Sequence, residues 1–204
     1  MDKKSNFFLR RIHSLLAIIP IGIFLLFHLS LNTTVFFGGR ETYEAVINFM
    51  KNMPLVLVLE LVIIFLPITV HALYGLWIVY VAKNNALNYK YGNNWAFYLQ
   101  RITALITIVF LVFHVYLQRF SVHEAEAVID SLTSILHNPA FFILYAIGLL
   151  AAVYHFANGL FTFLITWGVT IGDHSQKICR YISLGLFVVL GVWGVGILTV
   201  IAGF

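Results

Sequence analysis

Five long apolar stretches constrain this chain more than any other feature of it. They run approximately Arg11 to Phe37, Pro54 to Ala82, Trp95 to Gln118, Pro139 to Trp167 and Ile178 to Gly203. Crossing ~30 Å of hydrocarbon takes about 20 helical residues, so each run is long enough to span a bilayer. Hydrocarbon offers no partner for an open N–H or C=O, and these runs are too long for barrel strands, which leaves helices. The expected fold is an all-α integral membrane protein of five transmembrane helices, with residues 1–204 forming one transmembrane domain. At 61% hydrophobic and 10% charged residues, the chain is too apolar for a water-soluble domain.

A formal charge of +4 raises nucleic acid as a partner, but the basic residues are dispersed at the ends of the apolar runs and form no stripe or reader motif. Nucleic acid is set aside, and the bilayer is the expected surroundings. One cysteine, Cys179, allows no intrachain disulfide, no CxxC metal site and no covalent CxxCH haem attachment. Lys3, Lys4, Arg10 and Arg11 before the first run imitate a signal peptide. That run is membrane-long and has no A-x-A-like cleavage site, so it reads as a retained helix. Lys3, Lys4, Arg10, Arg11, Lys83, Lys90, Arg101, Lys177 and Arg180 fall on one side of the five spans, and only Arg40, Lys51 and Arg119 on the other. The positive-inside rule then puts the N-terminus in the cytoplasm and the C-terminus outside. Trp77, Trp95 and Trp167 lie near inner helix ends, where an interfacial aromatic belt belongs. Of the two outer connections, residues 38–53 are expected to form a short interfacial helix. Residues 118–138, with Glu124, Glu126 and Asp130, read as a net acidic connection.

The chain repeats itself. Phe24-Leu25-Leu26-Phe27-His28-Leu29 in the first helix matches Phe110-Leu111-Val112-Phe113-His114-Val115 in the third. His71-x-x-x-Gly75-Leu76-Trp77 in the second matches His155-x-x-x-Gly159-Leu160-Phe161 in the fourth, and the second and fourth helices each open at a proline, Pro54 or Pro139. Spacing agrees: 43 residues separate His28 from His71, and 41 separate His114 from His155. The first helix pair is duplicated in the second.

Depth pairs the histidines. At ~1.5 Å per residue, His28 and His114 lie in the outer half of helices that start inside. His71 and His155, 17 and 16 residues past their prolines, lie in the inner half of helices that start outside. The two layers differ in depth by about 10 to 15 Å. Two neutral imidazoles on facing helices make a six-coordinate, electron-transferring haem, so the expectation is two b-type haems held within the first four helices. Gly75 and Gly159, one turn beyond their histidines on the same face, suit a porphyrin lying close to the backbone. Asn32 and Gln118 stand at that place in the outer layer. A lone intramembrane histidine is more often hydrogen-bonded between helices, but four at matched depths point to function. His123, His137 and His174 read as solvated loop residues. His13, beside Arg10, Arg11 and Ser14, has three open readings: a haem-propionate contact, a partner contact or an interfacial polar residue.

These residues resemble the dihaem cytochrome b membrane anchor of bacterial succinate dehydrogenases and the related fumarate reductases. The likeness extends over the whole chain, through Arg10-Arg11-Ile12-His13-Ser14-Leu15-Leu16, Phe27-His28, Pro67 to Gly75, Ala82-Lys83-Asn84-Asn85-Ala86, Leu99-Gln100-Arg101, His155-Phe156-Ala157-Asn158-Gly159-Leu160 and Thr166-Trp167-Gly168. It is strongest to the single-anchor type of Gram-positive bacteria, with two haems on one chain. The resemblance implies axial ligands at His28 with His114 and at His71 with His155. It also implies a bacterial cytoplasmic membrane, and flavoprotein and iron–sulfur subunits on the inner face, where succinate chemistry occurs. Electrons would run from the inner haem to the outer haem and on to a quinone, menaquinone by this likeness. Lys83, Arg101 and the N-terminal Arg10, Arg11, His13 and Ser14 are the candidates for propionates or the partner.

Reducing a quinone at the outer end requires protons, which makes Glu60, near 9 Å into the second helix, and Glu44 in the outer connection the candidates. Glu44 resembles in position an acidic residue near the distal quinone site of related fumarate reductases. Ordinary alternatives are an interhelical bond for Glu60 and solvation for Glu44. The fifth helix, with Gly185, Gly191, Gly194 and Gly196, reads as scaffold packed close on small residues. Two other functions share the plan: the cytochrome b anchor of a hydrogenase or formate dehydrogenase, and a transporter with a histidine proton relay. A relay requires neither matched depth nor the His-x-x-x-Gly spacing.

Overall fold

A computed structural model describes residues 3–83, 86–121 and 124–203. His123, expected in a solvated loop, and Asn84 and Asn85 lie outside the described residues. Among the described residues, five helices are long and apolar enough to cross a membrane: Asn6–Asn32, Val56–Val81, Gly92–Phe120, Pro139–Thr166 and Asp173–Ala202. With the two connecting helices between them, chain order gives α1 (Asn6–Asn32), α2 (Val35–Lys51), α3 (Val56–Val81), α4 (Gly92–Phe120), α5 (Ala125–His137), α6 (Pro139–Thr166) and α7 (Asp173–Ala202). We call the end of the bundle bearing the N-terminus inner and the opposite end outer.

Local chemistry explains the boundaries. Asn138 caps α6 by accepting a hydrogen bond from the Ala140 N–H at 3.0 Å, and Pro139 takes the first helical position, where its missing N–H costs nothing. At the other end Gly168 adopts φ +71°, with Gly168 N–H bonded to Ile165 O at 3.0 Å and Val169 N–H to Leu164 O at 2.9 Å. This left-handed close satisfies carbonyls that would otherwise be orphaned. The first transmembrane helix ends at Asn32, not Phe37, because Thr33 and Thr34 turn the chain into α2. Gly39, at φ +60°, then bends α2 into two segments.

The acidic outer connection is largely helical. Ala125, Val128, Ile129, Leu132, Thr133 and Leu136 form one buried face of α5, at the helical spacing of every third and fourth residue. That face packs on the outer half of α7, where Thr133 Oγ1 donates to Ile201 O at 3.2 Å. Acidic Asp130 points away and pairs with Arg40 of α2 at 2.6 Å, tying the two outer helices together. His137 and His174 are exposed but helical, at the last turn of α5 and the first of α7.

Helix α7 buries Ser183, Leu190, Gly191, Gly194, Ile197, Leu198 and Ile201, mainly against α6. A Cβ added at Gly191 would stand 3.0 Å from Leu150 Cδ2, and one at Gly194 would stand 2.8 Å from Leu149 Cδ2, so both glycines permit the close approach. Gly185 has open space instead. Val109, Val112, Val188, Val189 and Val192 remain exposed on the bundle's flanks, as suits a surface solvated by lipid. The core side of α4 and α6, with α1 and α3 beside them, carries the histidines.

Candidate functional site

His28 of α1 lies against His114 of α4, with ring centres 5.8 Å apart and planes at 80°. His71 of α3 lies against His155 of α6, at 6.1 Å and 77°. Two imidazoles on opposite faces of one metal, with bonds of about 2 Å, place their ring centres about 6 Å apart. Both pairs have that spacing.

Ring-nitrogen partners differ between the layers. His71 Nδ1 lies 3.1 Å from the His13 carbonyl oxygen, and His155 Nδ1 lies 3.1 Å from that of Gln100. A carbonyl only accepts, so each Nδ1 carries the proton and each Nε2 keeps a lone pair, the tautomer a metal ligand needs. In the outer layer His114 Nδ1 is bonded to the Tyr145 hydroxyl of α6, and Phe110 stacks on the His114 ring at 5.5 Å. Beside His28, Asn32 donates to the His28 carbonyl at 2.7 Å and accepts from Tyr43 Oη at 2.6 Å. Tyr43 lies on α2, outside the spans, and burial pushes its phenol up to about 12, so it stays a neutral donor.

Sequence reasoning did not single out Tyr145. Its signal was there: a tyrosine nearly two turns inside a span needs a partner for its hydroxyl, and it lies on the helix that carries His155. Gln100 and Asn158 stand only within family-like segments, yet they bond each other, and Gln100 also bonds His155. Asn158 Nδ2 donates to Gln100 Oε1 at 2.7 Å, and Gln100 Nε2 donates to His155 O at 3.0 Å.

The repeat is out of register by one residue in two places, and each coincides with a π-helical turn. Fifteen residues separate His13 from His28 and fourteen separate Gln100 from His114; the extra residue falls in α1, whose π turn is Ala17–Gly22. Likewise His71 is one residue farther from its proline than His155 is, and α3 has a π turn at Glu60–Phe65. A π turn closes its hydrogen bond one residue later than an α turn and so absorbs a single insertion without rotating the rest of the helix.

At the inner end His13 stacks flat on His71, ring centres 4.0 Å apart. Its ring occupies the space beside Gly75, where a Cβ would meet His13 Cε1 at 3.3 Å. The space beside Gly159 holds the Gln100 amide at 3.5 Å. Ser14 Oγ donates to Arg11 O and accepts from Trp167 Nε1 at 3.1 Å, and the Arg11 guanidinium covers the Trp167 ring at 4.8 Å. Arg10 and Lys83 are exposed. Arg101 is 8% exposed, and its guanidinium donates to the Phe97 carbonyl and lies over the Phe97 ring, both within its own helix. The ion pairs among the described residues are Arg40 with Asp130 and Arg119 with Glu60, so Arg101 has no carboxylate among them. Buried polar atoms without a partner include Arg11 Nε, His13 Nδ1, Tyr74 Oη and Arg101 Nε at this end, and Gln118 Nε2, one turn beyond His114, at the other.

Glu60 accepts from Arg119 Nε at 3.0 and 3.1 Å and from Arg119 Nη2 at 2.9 Å, joining α3 to α4. Lys51 lies near Arg119 and Glu124, and burial followed by the Arg119 charge lowers its pKa. Glu44 is half-buried on α2. Arg119→Leu strands the Glu60 carboxylate among apolar neighbours, whereas pairing it with Glu60→Gln removes that liability. A double-mutant cycle on thermal unfolding is expected to show about 1 kcal/mol of coupling, a figure discounted because Arg119 is partly exposed. Additive effects would mean that the pair does not hold the outer ends of α3 and α4.

Fold and site together define a multi-pass helical membrane protein whose bundle core holds histidines in two level pairs. The family described as succinate dehydrogenase/fumarate reductase transmembrane subunit matches residues 83–198. The chain is also 43% identical over 195 residues to the succinate dehydrogenase cytochrome b558 subunit of Bacillus subtilis (strain 168), covering 95% of this chain and 96% of that one. The chain belongs to this transmembrane subunit family of succinate dehydrogenases and fumarate reductases.

Proposed function

We propose that the chain is the electron-transferring membrane anchor of a succinate:quinone oxidoreductase, with the N-terminus cytoplasmic and with two b-type haems held by His28 with His114 and by His71 with His155. The observation that carries this reading is the pair of imidazole couples, each about one metal-bridging distance across, with both inner Nδ1 atoms donated to carbonyls. A haem bound at each level supplies a one-electron carrier between the two membrane faces.

The remaining polar groups fit such a group. Buried Arg101 and half-buried Arg11, each with an unsatisfied Nε atom, and the Tyr74 hydroxyl offer donors to inner propionates. Gln118 Nε2 offers one in the outer layer. Arg10 and Lys83, exposed at the inner end, face the flavoprotein and iron–sulfur subunits, in keeping with the relative's place in a succinate dehydrogenase. The outer end takes the quinone, menaquinone being the type favoured by the resemblance. There the half-buried Glu44 can pass a proton. Glu60 is already engaged by Arg119 and serves mainly to hold the helices.

The test is purification of the chain with its co-expressed partners. The expected preparation contains flavin, iron–sulfur subunits and two protohaems per anchor chain, and reduces quinone with succinate. A folded complex without haem, or one whose activity accompanies a hydrogenase or formate dehydrogenase subunit, would sink the reading.

A further inference from the structure

The two halves of the repeat hold their inner histidines through equivalent residues. His13 and Gln100 each give a main-chain carbonyl to the Nδ1–H of the inner histidine, and each lays its side chain beside the glycine one turn past that histidine. The π turn in α1 keeps them equivalent although the spacing to the outer histidine differs by one residue. Beyond that the halves diverge. The His13 ring stacks flat on His71 and leaves its own Nδ1 without a partner. Gln100 is anchored: its Nε2 returns a hydrogen bond to the His155 carbonyl, and its Oε1 accepts from Asn158, a side chain 6% exposed that also reaches Ala96 O at 3.4 Å.

We propose that Gln100 and Asn158 are positioning residues, a clasp between α4 and α6 that fixes the rotation of α6 and thereby the direction of the His155 ring. The chemistry is cooperative. The Gln100 backbone accepts from the ring while its side chain donates to the same residue's backbone, so α6 cannot rotate about its axis without breaking both bonds, and the ring cannot turn without breaking the first. Such a bond to Nδ1 orients an axial imidazole and raises its basicity, which sets the environment of the metal it binds. The Gln100 amide lies against α6 beside Gly159, where a Cβ would stand 3.5 Å from Nε2, in ordinary van der Waals contact. The inference rests on the assignment of a haem to His71 and His155.

The experiment uses the assembled complex and reads each haem separately, by the low-spin electron paramagnetic resonance signal and by redox titration. Gln100→Leu is expected to move the signal and midpoint potential of the inner haem while those of the outer haem stay at wild-type values. Asn158→Ala leaves Gln100 present but loosened; it should move the same signal by less, and it carries the test if Gln100→Leu does not assemble. Two intact wild-type signals with no change in either Gln100→Leu or Asn158→Ala overturn the positioning role alone. Equal disturbance of both haems also overturns it, because general loosening of the bundle would do that. Absence of any haem signal in the wild-type complex overturns the underlying assignment as well.

Discussion

With alanine in place of His155, the purified complex is expected to hold about half the wild-type haem, the loss falling on the inner layer. His71→Ala should remove the same haem, and His28→Ala and His114→Ala the other one. The reason is geometric. Each imidazole faces one partner across about 6 Å, the layers lie at different depths, and among the described residues no other histidine is in reach of the outer pair. His13 is the one neighbour that complicates the inner pair, since it stacks on His71, but the two rings lie face to face at 4.0 Å, too close to admit a metal between them. Pyridine haemochrome analysis gives the stoichiometry, and redox titration identifies the survivor. Loss of both haems in outer and inner variants alike would mean that the layers are not independent sites.

The second large effect is expected at a glycine. In Gly148→Ala the new methyl carbon would lie 2.3 Å from Phe110 Cδ2, 2.4 Å from Cγ and 2.8 Å from Cβ. The last contact cannot be relieved by turning the ring, because Phe110 Cβ is fixed to the α4 backbone. Helices α4 and α6 must separate, or Phe110 must leave its place between His114 and Tyr145, whose ring it meets edge-on at 5.1 Å. Overpacking of this kind costs about 1–3 kcal/mol. The expected outcome is a lower thermal midpoint together with selective weakening of the outer haem. Gly185→Ala, at an open position, serves as the control and should be neutral. A double-mutant cycle with Phe110→Ala should show coupling: the ring contacts vanish while the 2.8 Å contact with Cβ stays, so the double variant loses less than the sum of the two single losses, and strictly additive losses would show that the methyl acts elsewhere.

Several features were readable along the chain because they depend on neighbours in sequence. Hydropathy over windows of about 20 residues gave five spans, and their boundaries shifted only where a cap or turn intervened, as at Thr33. The buried stripe of α5 was equally local, but acidic Glu124, Glu126 and Asp130 masked a clear helical period running through Ala125, Val128, Ile129, Leu132 and Leu136. Glu60 illustrates the opposite case. A carboxylate in an apolar run signals a polar partner, but nothing in the sequence says that the partner is Arg119, on the neighbouring helix α4.

The sequence by itself determined how many membrane-long helices this protein has, and the duplication that sets four histidines at two levels. Both follow from counting residues along a helix of known rise. Only the tertiary structure decided which atoms face which. The rotation of each helix depends on its π turns and on packing at glycines such as Gly148 and Gly194, and these determine that His114 meets Tyr145, that Gln100 and Asn158 clasp His155, and that His13 stacks on His71.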